Sequence, residues 1–133
     1  MFKKLFVISS LVFLLAIGTA AVSPQPGWVN LGEKEVTDKS EKDTWHIGKG
    51  KGEFRKLKLA VLERAVRIYR AEVKYENGRI QKLEIRNQIP AGGESRAIDL
   101  TGTERFIDKV DIWYEANTAG QGKRSHVILY GLK

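Results

Sequence analysis

Few side chains in this chain offer covalent chemistry. His46 and His126 are the only histidines, and there is no cysteine. Two imidazoles do not complete a structural zinc site, so both read as surface or rim residues. Ser95 and Ser125 lie beside turns, yet neither has the flanking glycines of a nucleophile elbow. Asp38-Lys39-Ser40-Glu41-Lys42-Asp43 offers oxygens at the spacing a calcium loop uses. Lys39 and Lys42 oppose the ion's charge, and the glycine and distal glutamate of a helical calcium loop are missing. The segment therefore reads as a solvated loop. No metal and no cofactor is implied, and no catalytic residue is assigned.

Binding chemistry is better represented. Trp28, Trp45 and Trp113 can serve as core, as edge cover or as stacking surfaces for sugars. Trp113 stands apart, because it lies opposite in parity to Val110, Ile112 and Tyr114. Arg64, Arg67, Arg70 and Lys74 recur along one expected strand. With Lys123 and Arg124 they can form an anion-binding patch. Trp113, Arg67, Arg70 and Lys74 are the candidate ligand-binding residues. No exposed aromatics interleave with the basic residues, so no nucleic-acid surface is indicated. The net charge of +7 admits an anionic partner, although lysines and arginines alternate with glutamates and form no long like-charge block.

These residues belong to a chain that opens like an export signal. Met1-Phe2-Lys3-Lys4 precedes an apolar run from Leu5 to Gly18 and then Thr19-Ala20-Ala21. A charged start, an apolar middle and small residues at the end are the three parts of a secretory signal peptide. The run is shorter than the roughly 20 residues that span a bilayer. Cleavage is expected near Ala20 or Ala21, releasing a product that spans no membrane into the periplasm or the medium. Residues 22–27 then form a flexible leader, and 28–133 a single domain. Without cysteine it has no disulfide framework, so burial alone must hold it together.

The remaining sequence reads as short strands. Trp28–Gly32 and Trp45–Ile47 come first, then Phe54–Leu62, where Leu57, Leu59 and Val61 alternate with Lys56 and Lys58. A helix over Leu59–Ile68 is the competing reading. Two strands with a turn near Glu63-Arg64 suit the β-branched and aromatic residues there better. Tyr69, Ala71, Val73 and Tyr75 form the next apolar row and lead into Glu76-Asn77-Gly78. A two-residue turn at Asn77-Gly78 sets Ala71 opposite Glu84, mixing apolar and charged residues on one face. A three-residue loop with Gly78 left-handed sets Ala71 opposite Leu83 and Tyr69 opposite Ile85, and is preferred. Ile80–Asn87, Arg96–Thr101, Arg105–Glu115 and Val127–Leu132 complete about eight strands. Asp108 falls on the core parity of its strand and requires a bulge, an edge or a partner. The fold class is all-β, an antiparallel sandwich or jelly roll.

The stretch Ser95-Arg96-Ala97-Ile98-Asp99-Leu100-Thr101-Gly102-Thr103-Glu104-Arg105-Phe106-Ile107 carries the pattern S-R-x-I-D-L-x-G-x-x-R-x-I. With the Asn77-Gly78 turn before it and Trp113-Tyr114 after it, the chain resembles short exported bacterial proteins of unknown function. The resemblance runs from about Trp28 to Leu132 and implies a β-sandwich, without activity, cofactor or partner. On the residues themselves, Asp99 points away from Ile98 and Leu100, and Arg105 follows a glycine turn. Arg96, Asp99 and Arg105 are therefore the candidate structural ion pair, a carboxylate locked by a guanidinium.

Three function classes follow. The first is a non-enzymatic exported binding or accessory domain that engages an envelope component or another protein. The second is a carbohydrate- or anionic-polymer-binding module built on Trp113 and the basic strand. The third, a hydrolase, requires Asp99, Asp108 or His126 to gather in one cleft.

Overall fold

A computed structural model describes residues 26–85, 88–117 and 123–133. The expected export segment, most of the leader, Asn87 and the loop glycines Gly120 and Gly122 lie outside the described residues. Nine strands are described: β1 Trp28–Val36, β2 Glu41–His46, β3 Lys56–Val61, β4 Val66–Tyr75, β5 Ile80–Lys82, β6 Gln88–Ile89, β7 Ile98–Asp99, β8 Ile107–Ala116 and β9 Ser125–Leu132. They form two antiparallel sheets. One runs β1-β9-β3-β7; the other runs β2-β8-β4-β5, with β6 also paired to β4. With the two-residue β6 set aside, the strands follow the order of a jelly roll, each connection crossing between the sheets except the β4–β5 hairpin.

Alternation along the long strands builds the core. Leu59 and Val61 of β3 face Leu129 and Val127 of β9 across the ladder, and Leu57 faces Gly131. Ala71, Val73, Val110, Ile112 and Tyr114 close the core from the second sheet. No helix forms over 59–68. Instead β3 and β4 belong to different sheets, and the chain bends between them at Glu63-Arg64. Within its sheet β9 lies between β1 and β3, and Ile128 is buried on the parity opposite to Leu129.

The hairpin takes the bulged register. Glu72 pairs with Lys82, Val73 with Gln81 and Lys74 with Ile80. Gly78 is left-handed at φ 89°, and the Leu83 amide donates to the Ala71 carbonyl at 2.8 Å. The next strand is shorter than expected. β5 ends at Lys82, and Tyr69 has no ladder partner at Ile85.

Three irregularities in the ladders decide which side chains reach the surface. In β4 an extra residue between Ile68 and Arg70 shifts the register against β8. A bulge switches side-chain parity. Val66 and Ile68 point inward before it; Ala71, Val73 and Tyr75 do so after it. Tyr69, expected in the core row, is therefore 53% exposed. In β8 the shift falls between Ile107 and Lys109, which leaves Asp108 out of register and half-buried. Its carbonyl accepts the amides of Ile47 and Gly48, and Ile107 takes the inward place. In β1 the shift between Asn30 and Gly32 sets the Gly32 carbonyl 2.9 Å from the Trp45 indole nitrogen, which donates to it.

Candidate binding site on the five-stranded sheet

The residues expected to do chemistry are dispersed by this fold. His46 ends β2, while His126 lies on β9 in the other sheet. His126 Nδ1 is 2.5 Å from Glu63 Oε1. That bond raises the imidazole pKa; partial burial opposes the shift, and the charges of Glu63, Glu33 and Glu35 add to it. Asp99, Asp108 and His126 sit on three different strands and share no hydrogen bond among the described residues. Two carboxylates of the Asp38–Asp43 segment are likewise committed to protein donors. Glu41 accepts the Thr37 amide at 2.7 Å, and Asp43 accepts the Tyr114 hydroxyl at 2.7 Å. That bond and burial both push the Tyr114 hydroxyl pKa upward, burial most.

Both candidate serines satisfy backbone groups. Ser125 is fully buried; its hydroxyl accepts the Arg64 amide at 3.0 Å and donates to the Arg64 carbonyl at 2.7 Å. Ser95 does the same between strands, accepting the Leu59 amide and donating to the Arg96 carbonyl.

The 95–107 segment is a strap that closes one edge of the sandwich, but the expected ion pair is not made. Asp99 bonds Lys56, its cross-strand partner on β3, at 2.5 Å. Pairing at the sheet edge turns the carboxylate toward β3, away from the turn that carries Arg105. Arg105 instead donates to the carbonyls of Phe54 and Gly102, and Arg96 to the carbonyl of Glu84. Gly102 is left-handed at φ 92°, and the Arg79 guanidinium lies against it while bonding Thr101. Ile98, Leu100 and Ile107 anchor the strap in the core. Each motif residue thus has a structural task.

The tryptophans divide between core and two faces. Trp45 is core and meets the Tyr114 ring edge-on at 6.3 Å. Trp28 pairs with Leu132 on the outer side of the four-stranded sheet, where Lys58 Nζ lies 4.4 Å from its ring centroid. Trp113 is half-buried on the outer side of the five-stranded sheet.

Around Trp113 the register sets side chains in rows across β2, β8 and β4. Lys42 is opposite Trp113, and Trp113 opposite Arg70. Both cations lie near the indole, Lys42 Nζ at 5.5 Å and Arg70 Cζ at 5.0 Å from its centroid. Contacts of this kind are worth about 0.5–1 kcal/mol at an exposed site. The next row is Thr44, Asp111 and Glu72. The row after that is His46, Lys109 and Lys74, with Ile80 beyond on β5.

Asp111 accepts the Thr44 hydroxyl at 2.5 Å and lies 3.4 Å from Lys109 Nζ. Burial raises its pKa, but the Thr44 bond and the charges of Lys109 and Lys42 outweigh burial and hold the carboxyl below its usual range. Glu72 takes two bonds from the Arg70 guanidinium. Lys74 and Lys82 make no ion pair among the described residues.

Two shallow depressions flank the indole. One, of about 360 Å³, is lined by Lys42, Arg70, Glu72, Lys74, Lys109 and Asp111 among others. The second, of about 470 Å³, lies between Trp113, Tyr69, Lys42 and Ser40.

The expected basic patch splits in two. Arg67, Arg70 and Lys74 share the outer face with Trp113. Arg64 instead donates to the Arg124 carbonyl, and Arg124 pairs with Glu35 of the other sheet at 2.9 Å. Sequence reasoning missed Tyr69, Lys42, Asp111 and Lys109. For Tyr69 the signal is visible: the apolar parity changes from Val66/Ile68 to Ala71/Val73/Tyr75 across Tyr69-Arg70. For the others only the strand register brings them together.

Comparisons with curated proteins and with solved structures gave no match. A protein-family profile described as a domain of unknown function, DUF2541, matches residues 7–131. That span covers nearly the whole chain, and the protein belongs to the DUF2541 family.

Proposed function

We propose that this protein is an exported, non-enzymatic binding domain of the cell envelope, and that the outer face of the five-stranded sheet is its binding surface. One observation carries the second part. Tyr69 and Ile80 are the two large apolar residues exposed among the described residues, and both border the depressions beside Trp113. Aromatic side chains amid cations, of which Lys74 makes no ion pair among the described residues, suit on a sheet face recognition of an extended ligand with polar and anionic groups. Catalysis is not the reading this geometry favours, because Ser95 and Ser125 are spent on backbone groups, Asp99 is paired with Lys56, and Asp99, Asp108 and His126 lie on three different strands.

Export rests on the tripartite pattern of residues 1–21. N-terminal sequencing of the mature protein from a bacterial host should begin at Ala21 or Val22; an intact Met1 would reject export.

The binding face is tested by capture from a solubilised envelope extract. Wild type should retain a component that Trp113→Ala and Tyr69→Ala fail to retain, while Trp28→Ala, on the opposite sheet, retains it. Equal capture by all four proteins would reject this face.

A further inference from the structure

Resting on that reading of the face, we propose that its ligand is an acidic polysaccharide in which charged and uncharged sugars alternate. The register is the argument. Along the strands the outer face presents a row with Lys42 and Arg70 on either side of Trp113, then a row with Asp111 and Glu72, then a row with Lys109 and Lys74. Cations, carboxylates and cations follow one another, two residues apart. The two cation rows are four residues apart, about 13 Å at ~3.3 Å per residue.

Lys74 and Lys109 are direct cross-strand partners. Like charges in that position destabilise a sheet. Asp111, 3.4 Å from Lys109, offsets part of that repulsion, but Lys74 makes no ion pair among the described residues, and an anion bridging the two lysines would relieve the remainder. The carboxylate row imposes the opposite demand. Asp111, buried and bonded by Thr44 and Lys109, and Glu72, bonded by Arg70, put negative charge in this row, so it repels an anion placed between the cation rows and tolerates only a neutral group there.

A ligand that meets both demands carries negative charge at intervals, with neutral hydroxylated groups between. A glycan of alternating acidic and neutral sugars has that pattern, and its ring faces supply C–H surface for Trp113 and Tyr69. A uniformly charged polymer does not fit. Duplex DNA carries one charge per about 1.7 Å of axis, so its phosphates would fall on Asp111 and Glu72 as well as on the lysines.

Calorimetric titration of the mature protein at physiological salt tests this, with four probes: hyaluronan oligosaccharides (alternating acidic and neutral), polygalacturonate oligomers (acidic throughout), neutral dextran oligomers and duplex DNA. Hyaluronan oligosaccharides are expected to bind most tightly, and dextran oligomers not at all. Trp113→Ala and Lys74→Glu should each weaken hyaluronan binding by roughly tenfold, given the size of stacking and charge-assisted contacts. Asp111→Asn separates pattern from charge: it should weaken or leave hyaluronan binding while strengthening that of polygalacturonate and DNA. Circular dichroism of each variant confirms that the fold persists.

Tightest binding of DNA or polygalacturonate by wild type would overturn the proposal in favour of a simple polyanion surface. Binding of dextran equal to hyaluronan would overturn it in favour of a neutral sugar site. If no probe binds, the acidic-glycan proposal falls. The binding face then stands or falls separately, by whether envelope capture still depends on Trp113.

Discussion

Replacing Gly131 with valine is expected to destabilise the protein by about 3 kcal/mol, at the upper end of what overpacking a core costs. A Cβ at this position would lie 2.6 Å from one carbon of the Phe54 ring and 3.0 Å from a Leu31 methyl carbon. Phe54 is fully buried, so its ring has no empty space to enter. The backbone cannot retreat either, because Gly131 is laddered to Val29 on one side and Leu57 on the other. Intrinsic preference runs the opposite way, since valine suits a strand better than glycine over a scale of about 1 kcal/mol. The sign therefore decides which effect wins. A fall in the urea midpoint at constant slope is the expected outcome; an unchanged or higher midpoint would show that β9 relaxes around the added methyls.

Ser125→Ala is the second large effect, expected at roughly 2–4 kcal/mol. The substitution removes one oxygen atom and leaves two part-buried backbone groups without partners, the amide and the carbonyl of Arg64. Each unsatisfied group costs about 1–3 kcal/mol. The bond joins the start of β9 to the bend where the chain passes from one sheet to the other, so local solvation would require that crossing to open. Hydrogen exchange should locate the loss, with the Arg64 amide losing protection before the β3 and β9 amides. A variant as stable as wild type would mean that water replaces the hydroxyl, and that Ser125 does not hold the crossing.

These two sites also show what was legible beforehand. Period-two alternation in Leu57/Leu59/Val61 and the Asn77-Gly78 turn led directly to strands, to an antiparallel sandwich and to the correct hairpin register. Both are local signals, set by side-chain parity and turn geometry. Ser125 reads in the sequence only as a serine beside a turn without a nucleophile elbow; its structural task is not visible there because its two partners lie 61 residues away. Asp99 looked like the partner of Arg105 for the converse reason. The two are close in sequence, but the edge pairing of β7 with β3 assigns Asp99 to Lys56.

The site itself was half visible. Trp113, Arg70 and Lys74 are readable as outward-facing from parity within their own strands, whereas Arg67 shares the parity of Ala71 and Val73 and reaches the outer face only because of the bulge. Lys42, Asp111 and Lys109 join them only through non-local register, and Tyr69 only through the bulge in β4. A bulge inverts every side chain beyond it, so one unrecognised extra residue moves a whole row from core to surface. Reading the parity change across Tyr69-Arg70 as a bulge would have recovered that residue.

The outer side of the five-stranded sheet is the surface on which this domain is proposed to meet its ligand. Nuclear magnetic resonance tests it most directly. The component retained from the envelope extract is added back to ¹⁵N-labelled mature protein, and shifts are followed residue by residue. Movement of the Trp113 indole signal and of the Lys42, Tyr69, Lys74 and Asp111 amides, with Trp28 and Tyr130 still, is the predicted result. Shifts confined to Trp28, Tyr130 and their neighbours on the four-stranded sheet would contradict it.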